Sequence, residues 1–193
     1  MRILVVSNMF PSKNYPYYGT FVKNFCKQVS EIEGTEISIS VLSKQNGKFK
    51  KLYHYLKFYF NTFFKILKNN FDFVYIHYVS YSYLPVLLAA NIKKINLIVN
   101  VHGSDVIPEK LSQKLMVFLF TNRALERASK IVVPSEYFKE IILEKYNLNE
   151  NKITINYSGG IDLKKFYPKR NKKYVFNTTC LVIGFVSRLT HGK

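Results

Sequence analysis

Apolar residues recur along this chain in two rhythms. Short runs rich in Ile and Val occur at Ile3 to Ser7, Ile37 to Leu42, Asp72 to His77, Asn96 to Val101, Ile131 to Val133 and Lys152 to Ile155. Each has the length and β-branching of a strand covered on both faces. Between them, at Thr20 to Ile32, Lys48 to Lys68, Tyr81 to Ile92, Leu111 to Ala128 and Ser135 to Tyr146, apolar residues return every three or four positions, as on an amphipathic helix. Ser135 with Glu136 behind it is an N-cap followed by an acidic first turn. Strand and helix alternate nearly throughout, which is the pattern of an α/β domain built on a parallel sheet.

After Ile155 the alternation stops. Asn156 to Lys173 is rich in Gly, Asp, Pro and Lys, as in a connector, and a new apolar run starts at Cys180 and reaches Val186. The expected organisation is a domain over 1–155, a connector over 156–173, and the start of a second domain over 174–193. The last strand runs into a loop at Lys193 with nothing left to cover it. The chain therefore reads as a fragment, or as a subunit completed by a separate carboxyl-terminal half. No internal repeat or low-complexity tract interrupts it.

Composition narrows the function classes. The chain has 193 residues, 48% of them hydrophobic and 21% charged, enough apolar content for a full core and against disorder. The formal charge of +17, from 29 Lys and Arg against 12 Asp and Glu, favours anionic partners: nucleic acid, a membrane surface or phosphorylated small molecules. Codon bias toward Lys, Asn, Ile, Phe and Tyr accounts for it equally well. Cys26 and Cys180 are far apart, and His54, His77, His102 and His191 show no ligand spacing, so neither a disulfide framework nor a zinc site is expected. The first eight residues are too short and too polar for a signal peptide. No run approaches the ~20 apolar residues of a spanning helix. A cytoplasmic chain is expected. The helix-turn-helix pattern and the aromatic signature of RNA-binding sheets are both missing, so nucleic acid is not the expected partner.

Three groups of residues could carry chemistry. Gly19 closes the loop after the first strand and opens a helix at Thr20, at the carboxyl edge where open α/β sheets bind ligands. A glycine there lets backbone approach a phosphate at a helix start, or it is simply a turn residue. The pattern G-x-G-x-x-G is missing after that strand, which counts against a dinucleotide dehydrogenase. His102 and Asp105, in Val101-His-Gly-Ser-Asp105, follow the fourth strand directly. They could orient a substrate hydroxyl or a sugar ring, or be a loop histidine and its capping acid. Arg188 and Lys193, after the last apolar run, could clamp a diphosphate or form a solvated basic loop.

In order and spacing, these pieces resemble family 4 of the retaining glycosyltransferases, which have the GT-B fold. The matching segments are Asn8-Met-Phe-Pro11, Tyr18-Gly-Thr-Phe-Val22, Asn100-Val-His-Gly-Ser-Asp105, Ile131-Val-Val-Pro-Ser135, Asn156-Tyr-Ser-Gly-Gly-Ile-Asp162 with Phe166 and Pro168, and Ile183-Gly-Phe-Val-Ser-Arg-Leu-Thr-His-Gly-Lys193. The resemblance implies a Rossmann-like parallel sheet flanked by helices, the acceptor-side half of a GT-B enzyme. It implies transfer of a hexose-type sugar from a nucleotide-diphosphate donor to a glycan or lipid-linked acceptor, in cell-surface polysaccharide synthesis, with no metal or other cofactor. Gly19 and Thr20 would lie against the donor diphosphate, His102 by the transferred sugar, and Asp105 would shape its loop. Arg188 and Lys193 would stabilise the departing diphosphate. Two departures stand out. Asn156-Tyr-Ser-Gly159 replaces the family's Pro-Asn-Gly, and the family's glutamate pair would lie beyond Lys193, so this chain alone should not catalyse transfer efficiently.

The helix over Lys48 to Lys68 carries surplus aromatics. Phe49, Leu52, Tyr53, Leu56, Phe60, Phe63 and Leu67 fall in one stripe expected to face the sheet. Lys50, Lys51, Lys57, Phe58 and Tyr59 would then face an anionic membrane, as on an interfacial helix at the inner face of the plasma membrane. An ordinary amphipathic helix made aromatic by codon bias is the alternative. A non-catalytic basic module binding an anionic membrane surface or nucleic acid is the competing function for the whole chain.

Overall fold

A computed structural model describes residues 1–108, 111–157 and Tyr167, apart from the side chain of Ser112. The chain divides into two compact units, Met1–Gly160 and Ile161–Lys193, and every described element belongs to the first. Cys180, Arg188, Lys193 and nearly all of the expected connector and second domain lie outside the described residues.

In chain order the elements are β1 (Arg2–Phe10), α1 (Thr20–Ser30), β2 (Glu36–Ser43), α2 (Lys48–Lys68), β3 (Phe73–His77), α3 (Val79–Ala90), β4 (Leu97–Asn100) and α4 (Leu111–Met116). A π-helical turn (Val117–Thr121), α5 (Asn122–Arg127), β5 (Lys130–Val133), α6 (Glu136–Tyr146), a 3-10 turn (Glu150–Lys152) and β6 (Ile153–Ile155) complete the unit. The strands pair in parallel in the order β2-β1-β3-β4-β5-β6. The expected Rossmann-like sheet is therefore present. The chain leaves β1 in one direction to reach β2 and in the other to reach β3. This places the topological switch, where such sheets bind ligands, at the carboxyl ends of β1 and β3.

Alternation along the strands builds two cores. Leu4, Val6, Val74 and Ile76 point into the larger one with buried residues of α2, α3, α5 and α6, whereas Ile3, Val5 and Tyr75 meet Val22 and the partly buried residues of α1 on the other face. Ser135 caps α6 as its sequence predicts, its Oγ accepting the Phe138 N–H at 3.3 Å. The helix expected over Leu111 to Ala128 is interrupted by the π turn, whose Thr121 is buried and donates to the Asp105 carbonyl at 2.9 Å.

The expectation for α2 is corrected in its facing. Phe58, Thr62 and Ile66 are the buried residues, with Tyr55, Tyr59, Phe63 and Leu67 packed beside them. Phe49 is 91% exposed, and Leu52, Tyr53, Leu56 and Phe60 are exposed as well. The helix is turned by polar anchors that an apolar count ignores. Thr62 Oγ1 lies 2.6 Å from Ser40 Oγ and donates to the Phe58 carbonyl, and Tyr55 Oη accepts from Asn8 Nδ2 at 3.2 Å. Phe58 and Tyr59 therefore do not face a membrane.

Tyr59 has a specific structural task. Helix α3 contains Pro85, which has no N–H for the Tyr81 carbonyl one turn earlier. Tyr59 Oη donates to that carbonyl at 3.1 Å and supplies the bond that proline withholds. We expect Tyr59→Phe to lower stability by about 1 kcal/mol through the unpaired carbonyl. In a Pro85→Ala background, where the backbone N–H is restored, the same change should matter less. Urea melts of the four proteins in this double-mutant cycle read the coupling directly.

Candidate functional site

The carboxyl ends of the central strands are aligned by register, with Ser7 opposite His77 and His77 opposite Asn100. The Asn8 N–H donates to Ser82 Oγ at 3.0 Å, and Ser82 Oγ donates to the His77 carbonyl at 3.2 Å. The end of β1 is thereby joined to the start of α3. Asn8 Oδ1 is buried and has no hydrogen-bond partner among the described residues.

Two histidines form the centre of this edge. His77, 2% exposed at the end of β3, places Nδ1 3.0 Å from Nε2 of His102, in the loop after β4. Burial, then the neighbouring His102, holds His77 well below the usual imidazole value, and burial brings His102 down to about 4. Both rings are neutral at physiological pH. Their hydrogen bond needs one donor and one acceptor. His77 Nε2 is buried without a partner among the described residues, and a buried lone pair is tolerated better than a buried unpaired N–H. We therefore place the His77 proton on Nδ1, donating to His102 Nε2. The His102 proton then sits on its own Nδ1. On this assignment His102 offers a neutral N–H donor, suited to holding an oxygen and too weak a base to take its proton.

Aromatic rings enclose the pair. The His102 ring stacks on Tyr78 (centroids 5.1 Å apart, 4° between planes), and Phe21, in the first turn of α1, lies 4.6 Å from it. Phe25 and Tyr75 pack on His77. Tyr78 has φ 56°, a left-handed conformation that is costly for a bulky residue and is concentrated at functional sites.

Asp105 holds this arrangement. It is fully buried, and its Oδ1 accepts the N–H groups of His102 and Gly103 at 2.9 Å each, while Oδ2 takes a longer 3.4 Å bond from the Val79 N–H in the first turn of α3. Burial pushes its carboxyl up to about 6 against the pull of these backbone bonds. The sequence-based readings of Asp105 as a capping acid and as a loop-shaping residue meet in this one geometry.

Gly19 sits at the N-cap of α1 with φ 73°. A Cβ there would lie 2.5 Å from the Met9 carbonyl carbon and 2.6 Å from its oxygen. The glycine is thus required by the close passage of β1 over the helix start, and the Cβ side is filled by the chain itself. No side chain among the described residues caps α1. Thr20, half-buried in the first turn, precedes Phe21. Gly19, Thr20, His102 and Asp105 are brought to one edge. The contribution of Arg188 and Lys193 falls outside the described residues. The sequence reading passed over His77 and Tyr78, because only the pairing of β3 between β1 and β4 brings them to His102. Lys50, Lys51 and Lys57 are exposed on α2. No helix among the described residues is long and apolar enough to cross a membrane, and no cluster of three or more His, Cys, Asp and Glu among them is arranged to hold a metal ion.

Comparison with known proteins gives two findings. The family model described as Glycosyltransferase Family 4 matches residues 20–165. Among solved structures, the crystal structure of HepE from Anabaena in complex with UDP matches with a TM-score of 0.55 and 12% identity, over 85% of this chain and 45% of HepE. The likeness to HepE is one of fold, and the chain spans less than half of that protein's length. No curated protein matches the sequence.

The buried neutral histidines should make the unit acid-sensitive. Their folded pKa values are depressed, so their contribution is present above about 6.5 and is lost as the unfolded chain takes up protons on acidification. Asp105, raised in the fold, acts in the opposite sense between its ordinary value and about 6, one group against two. We expect the melting temperature to fall between about pH 7.5 and about pH 5, and His102→Gln to flatten that fall. A profile unchanged by the substitution would contradict the assignment.

Proposed function

The chain belongs to glycosyltransferase family 4, and from that premise we propose that it forms the acceptor-side half of a nucleotide-sugar-dependent, retaining transferase. The sugar is of the hexose type, the acceptor a glycan or lipid-linked saccharide, and the setting cell-surface polysaccharide synthesis. The observation that carries this reading is the neutral His77–His102 pair at the topological switch, beside the helix start of α1. A donor N–H on a neutral ring can hold a sugar oxygen without competing for a proton. A helix start contributes a positive dipole end for a diphosphate. The UDP bound to HepE fits a donor of that class.

Gly19 and Thr20 contribute backbone at this helix start, and Asp105 acts through the backbone of His102 and Gly103. Arg188 and Lys193 supply cations for the diphosphate, and preorganised cations stabilise the leaving group without a metal. The nucleotide itself is bound by the other half of a GT-B transferase. Sugar transfer is to be measured on the 193-residue chain supplied with the second half of a GT-B transferase and on the 193-residue chain alone. We expect activity only in the former, with product of retained anomeric configuration by NMR. His102→Ala should lower kcat about a hundredfold, the usual loss for one preorganised donor. Full activity in His102→Ala, in a folded protein, would overturn the assignment.

The exposed half of α2 favours a second element of this reading, peripheral docking on the inner face of the plasma membrane. Phe49, Leu52, Tyr53, Leu56 and Phe60 stand in solvent with Lys50, Lys51 and Lys57 among them, as required of an interfacial helix. Docking there would bring a lipid-linked acceptor to the carboxyl edge, because α2 begins at that edge. Vesicles containing anionic lipid should retain the protein at low salt, and Phe49→Ser with Leu52→Ser should release it. Retention unchanged by these substitutions would rule out α2 as the contact.

A further inference from the structure

The loop between β2 and α2, at the carboxyl edge of the sheet, contains Gln45-Asn-Gly47. This is the sole Asn-Gly pair in the chain. Both residues are exposed. The Asn46 carboxamide makes no hydrogen bond among the described residues, and neither does the Gly47 N–H. Gly47 has φ 85°, and a Cβ built on it would meet nothing within 4 Å. The electrophile and the nucleophile of a five-membered ring closure are therefore adjacent, unpaired and open to water. The glycine has no side chain to obstruct their approach. Elsewhere one or both of these groups are engaged. Asn69 bonds the Lys65 carbonyl, Asn70 bonds Lys93 and Asn91 bonds Arg127. Asn14 is exposed too, but the N–H that follows it, on Tyr15, donates to the Ser12 carbonyl at 3.0 Å.

We propose that Asn46 is a site of spontaneous deamidation that places a carboxylate immediately before α2. The Gly47 nitrogen, on losing its proton, bonds to Asn46 Cγ; the Cγ–Nδ2 bond breaks and ammonia leaves, which closes a succinimide. Water then opens the ring. Cleavage of the new Cγ–N bond gives aspartate, and cleavage of the original peptide bond gives isoaspartate. The net reaction turns a neutral amide and water into a carboxylate and ammonium. Its location gives the new charge an effect. Gly47 is the N-cap of α2, its carbonyl accepting the Lys51 N–H at 2.9 Å. No side chain caps this helix start, and the first turn contains no acid, only Lys48, Lys50 and Lys51 with Phe49. A carboxylate there complements the positive end of the helix dipole and cancels part of the lysine charge. On the reading that α2 docks to an anionic membrane, on which this consequence rests, the same charge weakens docking. Ageing protein then leaves the surface.

The folded chain is to be incubated for days in warm, mildly alkaline buffer and its peptides followed by mass spectrometry. We expect a gain of one mass unit confined to the peptide containing Asn46, with isoaspartate in the product detected by a protein isoaspartate methyltransferase. The gain should be slower in mildly acidic buffer, where the attacking nitrogen keeps its proton. Asn46→Gln should abolish it, because the ring would then need six members, and Gly47→Ala should slow it severalfold. Vesicles of anionic lipid at low salt should retain the aged protein and Asn46→Asp less than the fresh protein. Lack of a mass gain at Asn46, an equal gain at Asn14, or a gain unaltered in Gly47→Ala would overturn the site. Equal retention of Asn46→Asp and of fresh protein would overturn its effect on docking. Fresh protein that no vesicle retains would sink the docking reading instead, and the peptide masses would still decide the modification.

Discussion

A single carboxylate holds together the two segments from which the candidate site is made. Asp105 carries its charge in a fully buried position with no ion-pair partner among the described residues. Backbone N–H groups of His102 and Gly103 hold it from the loop after β4, and Val79 holds it from the start of α3. A buried charge is stable only where such bonds replace water. Because the donors come from two segments, satisfying Asp105 also fixes where they lie. The left-handed Tyr78 stands just before Val79, and the ring on which it stacks belongs to His102. The Asp105 carbonyl extends the same constraint to Thr121 in the π turn. Strain at Tyr78, neutrality of the histidines and closure of α3 onto the sheet follow from the same local geometry.

The excess positive charge has a structural use as well. Both described salt bridges are made by one residue, Lys139, with Glu136 and Glu150. Many other cations bind backbone carbonyls instead. Lys93 donates to Ile66 and Asn69 at the end of α2, Arg127 to Ala90 at the end of α3, and Lys152 to Glu126 at the end of α5. The last carbonyls of a helix lack partners and carry its negative dipole end, so a cation from a neighbouring segment satisfies both. Part of the +17 charge is therefore internal capping rather than an anion-binding surface. On α2, Lys65 donates to the Ile39 carbonyl, whereas Lys50, Lys51 and Lys57 make no such bonds among the described residues and stand among exposed aromatic rings.

The alternation of β-branched runs with amphipathic stretches was sufficient to place every described strand and helix within a few residues, because local periodicity and burial on both faces of a parallel sheet constrain composition directly. The Ser135 cap was legible for the same reason: its partner is three residues away. Gly19, His102 and Asp105 could be assigned to the carboxyl edge because each follows a strand. The facing of α2 was not legible. Counting apolar residues favoured the stripe through Phe49, Leu52 and Leu56, whereas the fold buries the one through Phe58, Thr62 and Ile66. Thr62 looks like a polar interruption until Ser40, 22 positions away, supplies its partner.

The sequence by itself determined the class of fold and the edge that carries the site, since both depend on neighbours along the chain. Only the tertiary structure decided that His77 pairs with His102, that Tyr78 is held left-handed between them, and that Tyr59 replaces the N–H missing at Pro85. Each of these depends on strand order, or on a hydrogen bond between segments more than 20 residues apart. Such partners leave no periodic trace in the chain, because any of several polar residues could have served until the sheet aligned these ones.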